Sequence, residues 1–420
     1  MQILFFTENF PPETNAAASR VYERALYWIK WGHSVTVITT APNFPHGKIF
    51  DGYKNRWYQI EDMQGIRVVR VKSFISANQG VILRLLDFLS FMCTGFLAGL
   101  RQKRPDVIVA TSPQFFTAVA AWAASRWRAI PFVFELGDLW PSFVAAVGAM
   151  KPNFGLRLME KLELHLYRQS AYVAALTESF KQNLISRGID ADKIHVVMNG
   201  VEMSKFYPMP RDPLVEREFG VENCFVAGYI GTHGMAHDLG RILDAAELMR
   251  DERDVRFLFV GAGAERNKLV AEARKRLLEN VSFIPSQPRE RMAKVWSVCD
   301  VALIYLKNIP AFETVIPSKM FEAMAMGVPM LFCAPRGEGT RIVEREQAGL
   351  WVPPQDPAAL VDALRRLRQD AALREQLGRN GRAAAPRYSR ETQARELLRV
   401  LALAAAKRPL SSRKTVSVRE

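Results

Sequence analysis

Short apolar runs recur along this chain, separated by stretches in which apolar positions return every three or four residues. Runs rich in β-branched and aromatic side chains, bounded by turn residues, predict strands covered on both faces. In the first half these are Ile3 to Thr7, Ser34 to Thr40, Arg67 to Lys72, Val107 to Ala110, Phe132 to Leu136, Tyr172 to Ala175 and His195 to Met198. A helical run from Ser19 to Trp31 ends at Gly32, and a loop rich in Pro, Gly and aromatics precedes Arg67. The Pro-containing passage Tyr207 to Pro213 marks a linker. The pattern then restarts with Cys224 to Ile230, Val255 to Val260, Val281 to Ile284, Val301 to Tyr305 and Val328 to Cys333. Repeated βα units in each half predict an α/β chain with two doubly wound, Rossmann-like parallel sheets, binding ligands at the carboxyl ends of the strands. The predicted domains are 1–206 and 207–388, followed by a last helix over 389–406 and a polar, basic tail over 407–420.

VILRLLDFLSFMCTGFLAGL, from Val81 to Leu100, is long enough to span a bilayer, about 20 residues being needed. Arg84 and Asp87 lie inside it, and a charge at the centre of a spanning helix costs about 2.5–3.5 kcal/mol. On a helix Arg84, Asp87, Ser90 and Thr94 fall near one stripe, with apolar residues around the rest. Such a helix is either buried on all sides in its own domain or covered in part by lipid. WAASRWR, from Trp122 to Arg128, mixes tryptophan with arginine as headgroup anchors do, and favours in-plane, monotopic attachment over a span.

At 420 residues the chain is long enough for two domains, each with its own core. Its 49% hydrophobic and 24% charged content exclude a disordered chain. Cys93, Cys224, Cys299 and Cys333 lack metal-ligand spacing, so neither a disulfide framework nor a zinc site is expected, and a reducing cytoplasm fits. MQILFF has no basic leader region, so no signal peptide is expected. A net charge of +14 calls for an anionic partner. Zinc-finger spacing, RNP aromatics and a basic helix are all missing, which ranks nucleic acid behind an anionic membrane surface and phosphate-bearing substrates.

The densest chemistry lies in TVIPSKMFEAMAMGVP, from Thr314 to Pro329. Pro317 offers a helix start, and the helix stops at Gly327. Lys319 and Glu322, three residues apart, project from one side of its first turns. A lysine at a helix N-terminus suits phosphate, and a carboxylate one turn on can accept hydrogen bonds from a ribose diol. An ordinary Lys–Glu pair on a capped surface helix is the alternative.

This segment resembles the donor-site signature of the retaining family 4 glycosyltransferases. There, two glutamates separated by seven residues bracket the helix start, and the second binds the donor ribose. Glu322 matches the second; Thr314 stands at the first, with Glu313 one residue early. The resemblance continues through FPPETNAAASRV (from Phe10), APNFPHGKIFDGY (Ala41), FELGDLWP (Phe134), ALTESF (Ala175), VMNGVE (Val197) and YIGTHGMAHDL (Tyr229). It points to a bacterial branch with N-acetylfucosaminyl transferases of O-antigen, capsule and exopolysaccharide assembly. That branch often has arginine where this chain has Gly137, before Asp138.

The resemblance implies a GT-B fold, two Rossmann-like domains facing a cleft, with the last helix packing back on the first domain. It implies an acceptor-binding domain over 1–206 and a nucleotide-sugar domain over 207–388. The expected activity is retaining, metal-independent transfer of an N-acetylamino sugar from a UDP-sugar to a polyprenyl-diphosphate-linked saccharide, with no cofactor. The enzyme would sit peripherally on the inner face of the cytoplasmic membrane. The alternatives are a nucleotide-sugar epimerase of the same architecture and a catalytically silent nucleotide-sugar-binding subunit.

Gly231, Thr232, His233 and Gly234 follow the first strand of the second domain, where glycine permits close approach to a diphosphate. With Ser318, Thr314 and Asn199 they join Glu322 as donor-side candidates. Lys319 would stabilise the leaving diphosphate and Asp138 would orient the acceptor or act as base. A helix-capping role for Asp138 is the alternative. Asn15, Ser19 and Arg20, after the first strand, are acceptor-side candidates. Asp190 and Asp192 resemble a metal-binding pair but sit in a turn, and His233 and His237 lack the glutamate of a zinc protease. GAGAE, from Gly261, is a strand-to-helix turn that lets the backbone approach a nucleotide.

Overall fold

The computed structural model describes residues 1–13, 15–44, 47–75, 81–112, 115–139 and 154–407. The tail beyond Lys407, Thr14 of the first recurrent segment, Pro45 and His46 of the second, and Trp140 and Pro141 of the third lie outside the described residues. Two compact units emerge. One holds residues 1–139, 154–198 and 393–407 of those described, the other residues 199–392.

In the first unit the described strands are β1 (Gln2–Phe6), β2 (Ser34–Thr40), β3 (Tyr58–Met63), β4 (Ile66–Val71), β5 (Val107–Thr111), β6 (Phe132–Leu136), β7 (Tyr172–Ala175) and β8 (Ile194–Val196). They lie in the order β3-β4-β2-β1-β5-β6-β7-β8. All neighbours are parallel except β3, which runs antiparallel to β4. The sequence pattern left β3 inside a loop. Its turn is Gln64-Gly65, both with positive φ (56° and 85°), as a two-residue hairpin needs. At the sheet edge β3 is half exposed, so it lacks the unbroken apolar run of its neighbours.

Apolar cores cover both faces of this sheet. Ile3, Phe5, Trp28 and Val35 on one face pack with Ala394, Leu397, Val400 and Leu401 of the last helix, Arg390–Ala406. The Trp28 indole N–H donates to Ala394 O at 2.8 Å. That helix therefore does return to the first unit. On the other face the helix Val81–Arg101 packs beside Phe115–Arg128, with Phe91 and Ala98 in the core. Gly99 lies so close to Phe6 that a Cβ there would fall 2.7 Å from its ring. The Arg128 guanidinium donates to Gly99 O and Gln102 O and so closes the end of the first helix. Leu83, Leu85, Leu86 and Leu97 remain exposed. The helix is thus half core and half surface. No described helix is long and apolar enough to cross a membrane.

The second unit carries β9 (Phe225–Ile230), β10 (Val255–Val260), β11 (Val281–Ile284), β12 (Val301–Tyr305), β13 (Met330–Cys333) and β14 (Gly349–Val352), in the order β11-β10-β9-β12-β13-β14, all parallel. The order reverses between β9 and β12, and that switch point is where such a sheet binds ligands, beyond its carboxyl ends. The sequence pattern missed β14, a half-exposed strand of four residues. Gly349 begins it, because a Cβ there would lie 2.2 Å from Met330 O.

Candidate functional site

Two segments meet at the switch point of the second unit: the loop after β9 and the helix after β12. That helix runs Lys319–Met326 and ends at Gly327, in the left-handed conformation. It begins two residues later than Pro317 suggested, because the Pro317 carbonyl accepts the Met320 N–H from outside the helix. Ser318 is the N-cap and is half buried, making no side-chain capping bond. Lys319 is thus the first residue of the helix, where free N–H groups favour an anion.

The Lys319 side chain reaches back to β9. Its Nζ stands 3.7 Å from the centroid of the Tyr229 ring, out of reach of water and without a hydrogen-bond partner among the described residues. Burial pushes the amine down to about 7, with Glu322 opposing. Gly231 has φ +134°, and a Cβ there would meet Lys319 Nζ at 3.0 Å. Glycine thus makes room for the ammonium group. Thr232 is exposed, and its carbonyl accepts the Tyr229 hydroxyl at 2.8 Å.

His233 is fully buried among Tyr229, Phe259 and Phe283, and neither ring nitrogen has a hydrogen-bond partner among the described residues. Burial, then Arg266 and Lys319, push it down to about 4. His237 stands 3.1 Å from Tyr305 O through Nδ1, and burial and Lys319 push it down to about 3. Both histidines are therefore neutral at ordinary pH. Gly234 starts the short turn that carries His237.

The GAGAE loop serves the loop after β9. Gly261 and Gly263 have φ +148° and +154°, and Cβ atoms there would lie 2.0 Å from Gly231 O and 2.4 Å from His233 O. His233 N donates to Ala262 O and His233 O accepts from Glu265 N. The two loops touch backbone to backbone, and Arg266 follows with its Nε buried and unpartnered. Sequence inspection passed over Arg266; its place directly after a glycine turn closing a strand was the available signal.

Glu322 lies one turn beyond Lys319. Burial raises its carboxyl, against a hydrogen bond from Trp296 and the charges of Arg289, Lys319 and Arg390. Trp296 Nε1 donates to Oε2 at 3.1 Å. Neither Trp296, Arg289 nor Arg390 was visible as a partner in the sequence. Thr314 closes the turn Pro310–Thr314 with its hydroxyl on Ala311 O, and Gly337 packs against the Glu313 backbone of that turn. Asn199 is half buried beside Gly200, whose backbone lies against Tyr388 and Ser389.

The first-unit candidates are built differently. Asn15 is the N-cap of the helix Ala16–Lys30, its side chain accepting the Ala18 N–H at 2.9 Å. Ser19 and Arg20 are buried. Arg20 donates to Thr111 Oγ1 and approaches Glu135 at 3.4 Å, and Arg24 pairs with Glu135 at 2.7 Å. Burial would raise the Glu135 carboxyl, but Arg24 and then Arg20 hold it below its ordinary range. Arg20 is thus a buried partner within an ion cluster. Gly137 follows from the same packing: a Cβ there would fall 2.4 Å from Ser112 O and 3.2 Å from Arg20 Nη2. Asp138, next along, is crowded by protein atoms, and burial pushes its carboxyl up to about 6, against the pull of Arg20.

Asp190 caps the turn Ala191–Lys193 through the Asp192 N–H. Among the described residues no group of three or more His, Cys, Asp or Glu side chains gathers as a metal site.

Residues 15–200 match the description "Glycosyl transferase 4-like domain" and residues 219–384 match "Glycosyl transferases group 1". WcaI of Escherichia coli, named for glycosyl transfer in colanic acid biosynthesis, is 24% identical over 78% of this chain and 82% of its own. A GDP-mannose-dependent alpha-mannosyltransferase of Mycobacterium tuberculosis is 25% identical over 84% of each. Among solved structures, sucrose-phosphate synthase of Thermosynechococcus elongatus superposes with a TM-score of 0.76 at 18% identity, over 96% of this chain and 99% of that one. Anabaena HepE in complex with UDP-glucose gives 0.70 at 17% identity, over 96% and 99%. With both family descriptions met in order over most of its length, and with the fold of these enzymes, the chain belongs to the family 4 glycosyltransferases of the GT-B fold.

Proposed function

We propose that this glycosyltransferase moves an N-acetylamino sugar from a UDP-sugar to a polyprenyl-diphosphate-linked saccharide in cell-surface polysaccharide assembly. The observation that carries the donor site is the unpartnered, buried Lys319 ammonium at the start of a helix on the sheet's switch point. Arg266, with its own buried unpartnered Nε, adds a second cation. Breaking the bond between sugar and diphosphate leaves negative charge on the diphosphate as the anomeric carbon becomes oxocarbenium-like. Lys319, Arg266 and the helix N–H groups stabilise that charge without reorganising. The ribose lies on Glu322. Retention follows if the acceptor enters on the face that the diphosphate leaves, with a phosphate oxygen taking its proton. Asp138, raised toward neutrality, orients the acceptor or takes that proton.

UDP is preferred as carrier because HepE binds UDP-glucose; the mannosyltransferase relative makes GDP-sugars the comparison to run. WcaI supports polysaccharide assembly by its name. The exposed leucines of Val81–Arg101 and the exposed Trp127 support peripheral attachment to the inner face of the cytoplasmic membrane. The test is mass spectrometry of membrane extracts incubated with UDP- and GDP-sugars, with and without EDTA. A lipid-linked product made from a UDP-sugar, with the anomeric configuration kept and EDTA without effect, is expected. Product from GDP-sugars alone, or loss of activity on chelation restored by Mg²⁺, overturns the corresponding part.

A further inference from the structure

Above the exit of β4 the first unit carries a groove of about 670 Å³, a size that accommodates a small amphiphile. Ile49, Trp57, Phe74 and Ile75 give it apolar walls. Lys48 and Lys72 stand at its rim, both exposed, with Lys72 Nζ 4.7 Å from the Trp57 ring centroid. Trp57 itself is 71% exposed, an unusual state for so large an apolar surface.

The polar lining is fixed in place. Asn55 accepts the Ser73 N–H and donates to Ser73 O, at 3.1 and 2.7 Å. Ser73 is only 4% exposed, and its hydroxyl is buried without a hydrogen-bond partner among the described residues. A buried hydroxyl left unpaired is destabilising, and an anionic oxygen in the groove would relieve it. Ser90 and Thr94 line the groove from the helix Val81–Arg101. Leu83, Leu86 and Leu97 lie three, four or seven residues from them, hence beside the same stripe, which half-buried Asp87 shares, and each is more than 40% exposed. The groove therefore continues into an exposed apolar track.

We infer that this groove holds the head of a single-chain lipid phosphate or diphosphate, its hydrocarbon lying along the leucine stripe. The two lysines and the Ser73 hydroxyl meet the phosphate oxygens; the aromatic and branched walls meet the first carbons of the chain. A bare anion leaves those walls wet, and a neutral lipid leaves the lysines and the hydroxyl unanswered. The inference rests on the proposed lipid-linked acceptor and gives that acceptor's phosphate-to-hydrocarbon junction a seat.

The test uses the full chain with saturating UDP, so that the donor site is filled. Farnesyl diphosphate, below its micelle-forming concentration, is titrated against tryptophan emission, with Trp57→Phe identifying the groove's signal. A saturable blue shift is expected, at least tenfold tighter than for pyrophosphate or for farnesol. The Lys48→Ala, Lys72→Ala double variant should weaken it at least tenfold while UDP binding and circular dichroism stay as in wild type. Equal binding of pyrophosphate makes it an anion site, equal binding of farnesol makes it a greasy surface, and equal competition by phosphatidylglycerol vesicles makes it a membrane headgroup surface. Each of these, or no Trp57 signal, overturns the inference. A failure of UDP-sugars to bind would instead sink the donor reading and leave the groove result standing.

Discussion

Binding of a UDP-sugar should take up a proton, and the uptake should grow with pH between 6 and 8. In the empty site the Lys319 amine is held at about 7 by burial. At pH 8 about one site in ten carries the proton; a diphosphate beside it restores the ordinary lysine range and charges nearly every site. Uptake should therefore be about 0.1 proton at pH 6, about 0.5 at pH 7 and about 0.9 at pH 8. By the same linkage affinity should fall about tenfold from pH 6 to pH 8, about 1.4 kcal/mol. Isothermal titration calorimetry in buffers of different ionisation enthalpy measures both. A UDP-sugar is the right probe, because its phosphates do not titrate in this range. Lys319→Met should abolish the pH dependence and weaken binding at pH 6 by about 1.5–3 kcal/mol, the value of a charged hydrogen bond. The histidines give the opposite trend with pH: His233 and His237, held at about 4 and 3, would add an uptake that declines as pH rises. Uptake near zero at pH 8, or declining from pH 6, would refute the assignment of Lys319 to the diphosphate.

Trp296→Phe removes the hydrogen bond to Glu322 and should weaken UDP about three- to tenfold while leaving 2′-deoxy-UDP unchanged; equal losses would reduce Trp296 to a packing role. Glu135→Gln strands two buried guanidinium groups and should cost about 3–5 kcal/mol in urea unfolding; a loss under 1 kcal/mol would contradict the buried-cluster account. Burial raises the Glu163 carboxyl to about 8, against a hydrogen bond from Tyr167. The native state therefore binds the extra proton, and stability should fall as pH rises from about 5 through 8, by about 4 kcal/mol at most. Glu163→Gln should flatten that fall in thermal melts, and an unchanged slope would assign it to other groups.

Strands β2, β6, β7, β10 and β12 have the ends that their apolar runs marked. β14 offers only the three-residue apolar run Leu350-Trp351-Val352, and β3, YQIEDM, carries too many polar residues to stand out as an apolar run. The donor-side pair Lys319 and Glu322 was legible because a helix turns sequence spacing into geometry. Arg266 and Trp296 come from other βα units, and only the sheet order brings them in. Arg20 illustrates the converse. Its position after the first strand suggested an open contact, but its burial beside Arg24 depends on Glu135, more than a hundred positions away. Phe91, one of the aromatics on the long apolar helix, went to the core, while the leucines at 83, 85, 86 and 97 stayed in solvent. Nothing in an all-round apolar helix says which face its neighbours will cover.

The return of the last helix has a consequence for synthesis on the ribosome. Chains emerge from the N-terminus at about 5–20 residues per second, and domains generally fold as they appear. Here the core of Ile3, Phe5 and Val35, to which the helix Ala16–Lys30 contributes Val21, Ala25 and Trp28, stays incomplete until Ala394 to Ala404 have emerged. Roughly 200 residues separate the end of the first unit's earlier part from that helix, a delay of about 10–40 s. The second unit, contiguous over residues 199–392, is complete before the first one is. A nascent chain of this enzyme thus carries a half-covered apolar core, with the Trp28 indole N–H still unpaired by Ala394, through much of its own translation, and ribosome-bound chaperones have that core as their natural client. Stalled chains ending near residue 389 should bind such chaperones, and chains extended past residue 404 should release them.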